Sequence, residues 1–179
     1  MQETILLVNG KPFSPLRLLG KGKSGYSYLV TDGTQEYVLK QIHHEPCSYY
    51  QFGNKIEAEL RDYQRLKAIG IPIPAMLDVD MEYERILKEY IEGDTVFDLV
   101  LRDEMHPEYT AQMRAMCHLL YPSSTNIDYF PTNFVVRDGQ LFYIDFECND
   151  YMEQWNFENW GIKYWSKTPE FLQYVQEHL

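Results

Sequence analysis

The sequence predicts an α+β fold, with an antiparallel sheet plus one helix in the first half and a smaller, mainly helical region in the second. Three observations carry this. Short β-branched and aromatic runs separated by the turn dipeptides Asn9-Gly10 and Asp32-Gly33 have the pattern of hairpin-connected strands. Composition shifts from β-rich to helical at Glu92-Gly93-Asp94, which divides the chain into regions 1–92 and 93–179. The stretch from Asn126 to Glu147 then reads as one more hairpin, Phe134 to Val136 and Leu141 to Ile144 around Asp138-Gly139, with Asp145 directly after its second strand.

Each element has its own justification. Ile5 to Val8, Asn9-Gly10 and Lys11 to Phe13 make an opening hairpin whose second strand is confined to an edge by Pro12 and Pro15, because proline cannot donate to a ladder. Leu16 to Leu19 starts another strand, and Tyr26 to Thr31 a further one. Glu36 to Ile42 carries Lys40 inside the apolar run Tyr37-Val38-Leu39, and a lysine interrupting a buried strand needs a partner. After the polar, aromatic link 43–53, Ile56, Leu60, Tyr63 and Leu66 recur at helical spacing between about Asn54 and Ala68 and define a buried stripe. At about 100° per residue, Glu59 lies roughly 45° from the centre of that stripe and Glu57 more than 100° away. Glu59 is therefore the acid expected to meet Lys40. Gly70 ends the helix, and the extended link Ile71 to Pro74 leads to strands at Ala75 to Val79 and Arg85 to Ile91. In the second half, Asp94 is placed to cap a short helix from Thr95 to Arg102. A longer one, from Pro107 to Leu120, presents Tyr109, Met113, Met116 and Leu120 on one face. Pro122 stops it. Trp155, Phe157, Trp160, Tyr164 and Trp165 are expected to pack in the core, and Pro169 to Leu179 forms a last helix behind Thr168.

Two stretches carry candidate chemistry. The segment Gly20-Lys21-Gly22-Lys23-Ser24-Gly25 has the spacing G-x-G-x-x-G. A dinucleotide-binding turn needs a helix after the glycines, but a β-rich run follows. A Walker loop ending in Gly22-Lys23-Ser24 needs glycine at position 17, where Arg17 stands. Strand, glycine loop, strand remains, an arrangement in which backbone N–H groups can approach phosphates because no Cβ intervenes. In the second stretch, folding the hairpin gathers Asp128, Asn133 and Asp145 at one end of a small sheet. Hard oxygen donors of this kind suit Mg²⁺ carried on a nucleotide phosphate.

Asp128-x-x-x-x-Asn133, the hairpin and Asp145-Phe146 resemble the catalytic loop and metal-binding segment of the protein-kinase-like superfamily. Tyr-Val-Leu-Lys40 resembles its third strand. The compactness resembles RIO-type and other minimal atypical kinases. Asp145-Phe146-Glu147 and the run of helix, Gly-Ile-Pro-x-Pro and strand are similar to choline and aminoglycoside phosphotransferases. The resemblance implies a two-lobed protein-kinase-like fold, with an N-lobe at 1–92 and a reduced C-lobe at 93–179. It implies ATP as phosphoryl donor and Mg²⁺ as cofactor. Gly20, Gly22 and Gly25 would cover the phosphates, Lys40 would hold them with Glu59 as its partner, and the Glu89 carbonyl and Ile91 amide would read adenine. Asp128 would be the catalytic base, with Asn133 and Asp145 holding the metal. Four positions depart from the usual pattern: Asn126 replaces a histidine, Glu147 a glycine, Lys88 an apolar residue and Ser27 a valine. Glu158 would stand in for a second aspartate bracing the catalytic loop. The short stretch after Asp145 leaves little room for substrate-binding helices, which favours a Ser/Thr side chain of a protein as acceptor. The acids Glu147, Asp150 and Glu153 suit a small cationic alcohol instead, and a nucleotide-binding scaffold without transfer is the third reading.

Composition excludes several other classes. A net charge of −11 disfavours nucleic acid and anionic membrane as partners, while 45% apolar residues exclude a disordered chain. No run approaches a membrane span and the first residues lack a signal core, so a cytoplasmic location is expected. Cys47, Cys117 and Cys148 are far apart and read as free thiols. The histidines show no metal-ligand spacing.

Overall fold

The computed structural model describes residues 4–45 and 54–179; Cys47 and most of the link after His43 lie outside them. The fold is mixed α+β, with one large antiparallel sheet and few helices. The chain divides into two compact units. One comprises the residues up to Arg61 together with Pro74–Tyr90, the other Asp62–Ile73 and Ile91–Leu179.

The first unit is built on β1 (Leu6–Val8), β2 (Lys11–Lys21), β3 (Gly25–Thr31), β4 (Glu36–Ile42), β5 (Met76–Asp80) and β6 (Arg85–Glu89), in the order β1-β2-β3-β4-β6-β5. Asn9 and Gly10 both take positive φ in the first turn, as a two-residue hairpin requires. The opening hairpin strand and the strand expected from Leu16 are one. β2 continues through Pro15, pairing with β1 over Lys11 to Phe13 and with β3 over Ser14 to Lys21, with register shifts after Pro15 and Leu18. Because each stretch has a neighbour on one side only, the proline nitrogens can sit on the open side. Alternate residues serve opposite faces. Leu39 and Leu87 join Val8, Phe13 and Val30 in one cluster, whereas Ile42 and Ile86 meet Ile56 in another. The two edges of the sheet are tied at the first turn, where the Asn9 backbone N–H donates to Asp80 (2.8 Å), its side chain donates to Asp78 (2.7 Å), and Arg85 donates to the Leu7 carbonyl.

Helix α1 (Lys55–Ile69) starts in this unit and ends in the other. The Asn54 side chain accepts from the Glu57 N–H at its start. Gly70, at φ +97°, ends it while the N–H groups of Gly70 and Ile71 both reach back to the Leu66 carbonyl, a left-handed C-cap that favours glycine.

The second unit holds β7 (Asp94–Thr95), α2 (Val96–Leu101), α3 (Pro107–Leu120), β8 (Thr125–Ile127), β9 (Phe134–Arg137), β10 (Gln140–Tyr143), β11 (Cys148–Asp150) and α4 (Pro169–His178). Its core gathers Met113, Met116, Leu120, Phe134, Phe157 and Phe171. Cys117 joins the buried face of α3, and Tyr109, in its first turn, is only half-buried. The cap of α2 is Thr95 and not Asp94. Asp94 is drawn into the β7–β9 pairing opposite Val136, so the Thr95 hydroxyl is the group that reaches the Asp98 N–H, at 3.1 Å. Thr168 caps α4 through the Phe171 N–H.

Candidate functional site

In the first unit, the glycine segment forms the turn between β2 and β3, closed by the Gly22 N–H donating to the Gly25 carbonyl at 2.9 Å. The fold itself demands glycine at one of its three positions. A Cβ on Gly25 would stand 2.6 Å from the Gln41 carbonyl and 3.0 Å from Lys40 Cε, whereas Gly20 has open space and Gly22 has only the Gly25 carbonyl at 3.9 Å. Lys40 leaves β4 beside this turn, paired in register with Ser27, and forms an ion pair with Glu59 of α1. Both side chains are about nine-tenths buried, at 11% and 9% exposure. The second Glu59 oxygen is buried and takes no hydrogen bond from the described residues. Glu57, on the other side of the helix, is exposed.

In the second unit, Asp138 and Gly139 both have positive φ, so a tight two-residue turn joins β9 to β10 and sets Phe134 opposite Tyr143. That register puts the residue before β9 beside the residue after β10, and the Ile144 N–H donates to the Asn133 carbonyl at 2.9 Å. The Asn133 amide nitrogen lies 3.4 Å from the Asp128 carbonyl, and the Asp128 carboxylate accepts from the Phe130 N–H at 3.1 Å. Asp145 turns one carboxylate oxygen onto the N–H groups of Phe146 (2.7 Å) and Glu147 (3.3 Å). The stretches carrying Asp128, Asn133 and Asp145 are thus joined by hydrogen bonds, and all three residues are half-buried. The arrangement leaves one oxygen of Asp145 and the amide oxygen of Asn133 as hard donors, which fits Mg²⁺ that takes its other ligands from phosphate and water. Among the described residues no three His, Cys, Asp or Glu side chains converge as a protein-only metal cage.

Glu89 ends β6. Its N–H donates to the Ala75 carbonyl at 2.9 Å, and its carboxylate accepts from the Ala75 N–H. The strand stops there, two residues earlier than expected, and Ile91 is buried in the second unit. Lys88 is buried on β6 opposite Val38 and Met76.

The chain is similar to a serine/threonine-protein kinase. Over 158 residues, covering 79% of the chain, it is 29% identical to "Probable serine/threonine-protein kinase mps1" of Dictyostelium discoideum, and it spans 15% of that protein's length. No protein-family profile matches the chain. Among the described residues no helix is long and apolar enough to cross a membrane.

Several residues that fix this geometry gave no signal in the sequence. The Tyr143 hydroxyl, fully buried, donates to the Glu147 carbonyl at 2.7 Å and accepts from the Asp128 N–H at 3.3 Å. It thereby links the stretch before the hairpin to the stretch after it. Burial, and then the Asp145 and Asp128 carboxylates, push this phenol well above its ordinary pKa, so it stays a neutral donor. Tyr129 is fixed by the Trp165 indole, which donates to its carbonyl at 2.8 Å. The Tyr129 hydroxyl donates to Asn126, whose amide donates in turn to the Met152 carbonyl. Asn126 is therefore a buried strut. Glu158 accepts from the Tyr121 hydroxyl just after α3, at 2.6 Å. Of the late aromatics, Phe157 and Trp165 are core residues and Trp155 is half-exposed. The two described cysteines are buried and unpaired.

Proposed function

We propose that this protein is a phosphotransferase that moves the γ-phosphate of ATP to a hydroxyl, as an atypical Ser/Thr protein kinase. The observation that carries the reading is the buried Lys40–Glu59 pair beside the glycine turn. A desolvated ion pair is rarely worth its burial for stability alone, and this one stands where a polyphosphate would meet a fixed cation. Gly20 and Gly22 support it, since the fold has no packing reason to keep them free of side chains.

In this reading residues 1–92 act on the nucleotide and residues 93–179 on metal and acceptor. Glu59 holds the Lys40 ammonium in place to neutralise the α- and β-phosphates, and the N–H groups of the glycine turn approach the phosphate oxygens. The Glu89 carbonyl and Ile91 amide read the adenine edge. Asn133 and Asp145 hold Mg²⁺, which when bound neutralises charge on the transferring group. Asp128, its carboxylate held by the Phe130 N–H, orients the acceptor hydroxyl and takes its proton. The departures at Asn126 and Glu147 leave these roles intact, because Asn126 serves as a strut and Glu147 contributes its backbone to the Tyr143 contact.

The test is γ-labelled ATP and Mg²⁺ added to the protein in a cell extract, with label sorted by size. Protein-bound label that disappears on Asp145→Asn is the expected result. Label in small molecules would replace the protein acceptor with a small alcohol. Nucleotide bound without transfer would make the chain a scaffold, and absence of nucleotide binding would end the reading.

A further inference from the structure

The glycine turn is held down from one side by residues outside its hairpin. His43, the first residue after β4, places Nε2 2.8 Å from the Gly22 carbonyl, and its backbone N–H donates to the Ser24 carbonyl at 2.9 Å. The Glu45 N–H points at His43 Nδ1 from 3.3 Å, so Nδ1 accepts and Nε2 carries the hydrogen that is donated to Gly22. The Glu45 carboxylate, 3.6 Å from Nδ1, is too distant for a hydrogen bond. It binds instead the Tyr26 hydroxyl (2.7 Å) and Lys21 (3.2 Å), and the Tyr26 ring packs on the imidazole at 5.2 Å.

From the other direction comes Lys55, the first residue of α1, 3% exposed. Its ammonium donates to the His43 carbonyl and stands 3.5 Å from the Lys23 carbonyl. The hairpin turn is already closed by its own Gly22–Gly25 hydrogen bond, so a buried ammonium directed at these carbonyls has no part in forming it. Lys55 also lies four residues before Glu59, on the same face of the helix, and Glu59 grips Lys40. We propose that His43 and Lys55 are positioning residues that latch the glycine turn to α1, so that one helix sets both the turn and the Lys40–Glu59 pair. The consequence for nucleotide binding rests on the function proposed above; the latch itself does not.

The experiment compares the full chain with His43→Ala, His43→Phe, His43→Gln and Lys55→Met. Backbone amide exchange is followed in the peptide covering residues 20–26, and MgATP affinity and KM against kcat are measured alongside. Loss of one such hydrogen bond should speed local exchange and weaken MgATP by about 3- to 10-fold, raising KM while kcat stays near wild type. His43→Phe keeps the packing on Tyr26 without the donor and should behave like His43→Ala; it is read in its place if the alanine variant does not fold. His43→Gln retains an N–H donor and should recover most of the loss. Wild-type exchange in both His43→Phe and Lys55→Met, with their unfolding midpoints unchanged, overturns the latch. Slow wild-type exchange that rises in the variants upholds the latch even if MgATP binding is absent, and that absence overturns the function alone.

Discussion

Tyr143→Phe tests how the aspartates of the second unit are held. The substitution removes one oxygen and keeps the ring, which packs against Phe134 at 5.1 Å between centroids, so no cavity larger than a hydroxyl forms. It takes the partner from the Glu147 carbonyl at 2.7 Å and from the Asp128 N–H at 3.3 Å. The first contact is short and the second long, so most of the loss comes from the carbonyl. Losing these two hydrogen bonds costs about 1–3 kcal/mol in all. For a chain of 179 residues, each kcal/mol lowers the unfolding midpoint by about 2–4 °C, which gives an expected drop of roughly 2–12 °C. Because the phenol ties the stretch carrying Asp128 to the one carrying Asp145, loosening it should also misplace both carboxylates. Under the proposed function, phosphoryl transfer should fall by about 10- to 100-fold, as a misplacement near 1 Å does, with MgATP affinity falling as well because Asp145 is one of the proposed metal holders. Thermal unfolding and single-turnover transfer give the two readouts. A variant as stable and as active as wild type would refute the reasoning, since it would mean that neither aspartate depends on the phenol.

Other expectations follow from the same contacts. Glu59→Gln leaves the Lys40 ammonium buried beside a neutral amide and should cost about 1–3 kcal/mol, whereas Glu57→Gln, on the exposed side of α1, should stay within about 0.5 kcal/mol; urea unfolding of both distinguishes them. Burial raises the Cys117 thiol to about 11 and the Cys148 thiol to about 12, so at pH 8 their thiolate fractions are about 10⁻³ and 10⁻⁴. Peptide mapping after iodoacetamide should find both unmodified in the native chain, and rapid labelling of either would contradict the burial. Asp80 accepts from the Tyr83 N–H and, across the sheet edges, from the Asn9 N–H, and these bonds hold its carboxyl below the ordinary range. Its contribution to stability is therefore present above an unfolded carboxylate pKa of about 3.9 and is lost as pH falls through the lower folded value. Unfolding midpoints measured from pH 6 down to pH 2 should fall less steeply for Asp80→Asn than for wild type, and parallel curves would exclude this role.

Strand positions in the first unit were readable because alternation and turn dipeptides act locally. Asn9-Gly10 and Asp138-Gly139 place positive φ where the two-residue hairpins need it, and β4 and α3 have the boundaries that pattern alone suggests. The side of α1 that meets Lys40 was legible for a related reason: Ile56, Tyr63 and Leu66 fix which way the helix faces, and Glu59 shares that direction. The cap of α2 was not legible, since Asp94 and Thr95 are both good caps and the choice falls to the pairing of Asp94 with Val136 on β9. Nor were His43, Lys55, Tyr143 and Trp165, each of which looks like an ordinary core or link residue until its distant partner is known.

The order of residues by itself determined β4, α3, the turns at Asn9-Gly10 and Asp138-Gly139, the inward side of α1 and the spacing from Asp128 through Asn133 to Asp145, because these depend on neighbours within a few positions. Which carbonyl receives the His43 or Trp165 hydrogen, and which aspartate the Tyr143 phenol holds, only the tertiary structure decided. Those bonds join groups far apart along the chain, and a hydrogen bond depends on a few tenths of an ångström that no local periodicity encodes.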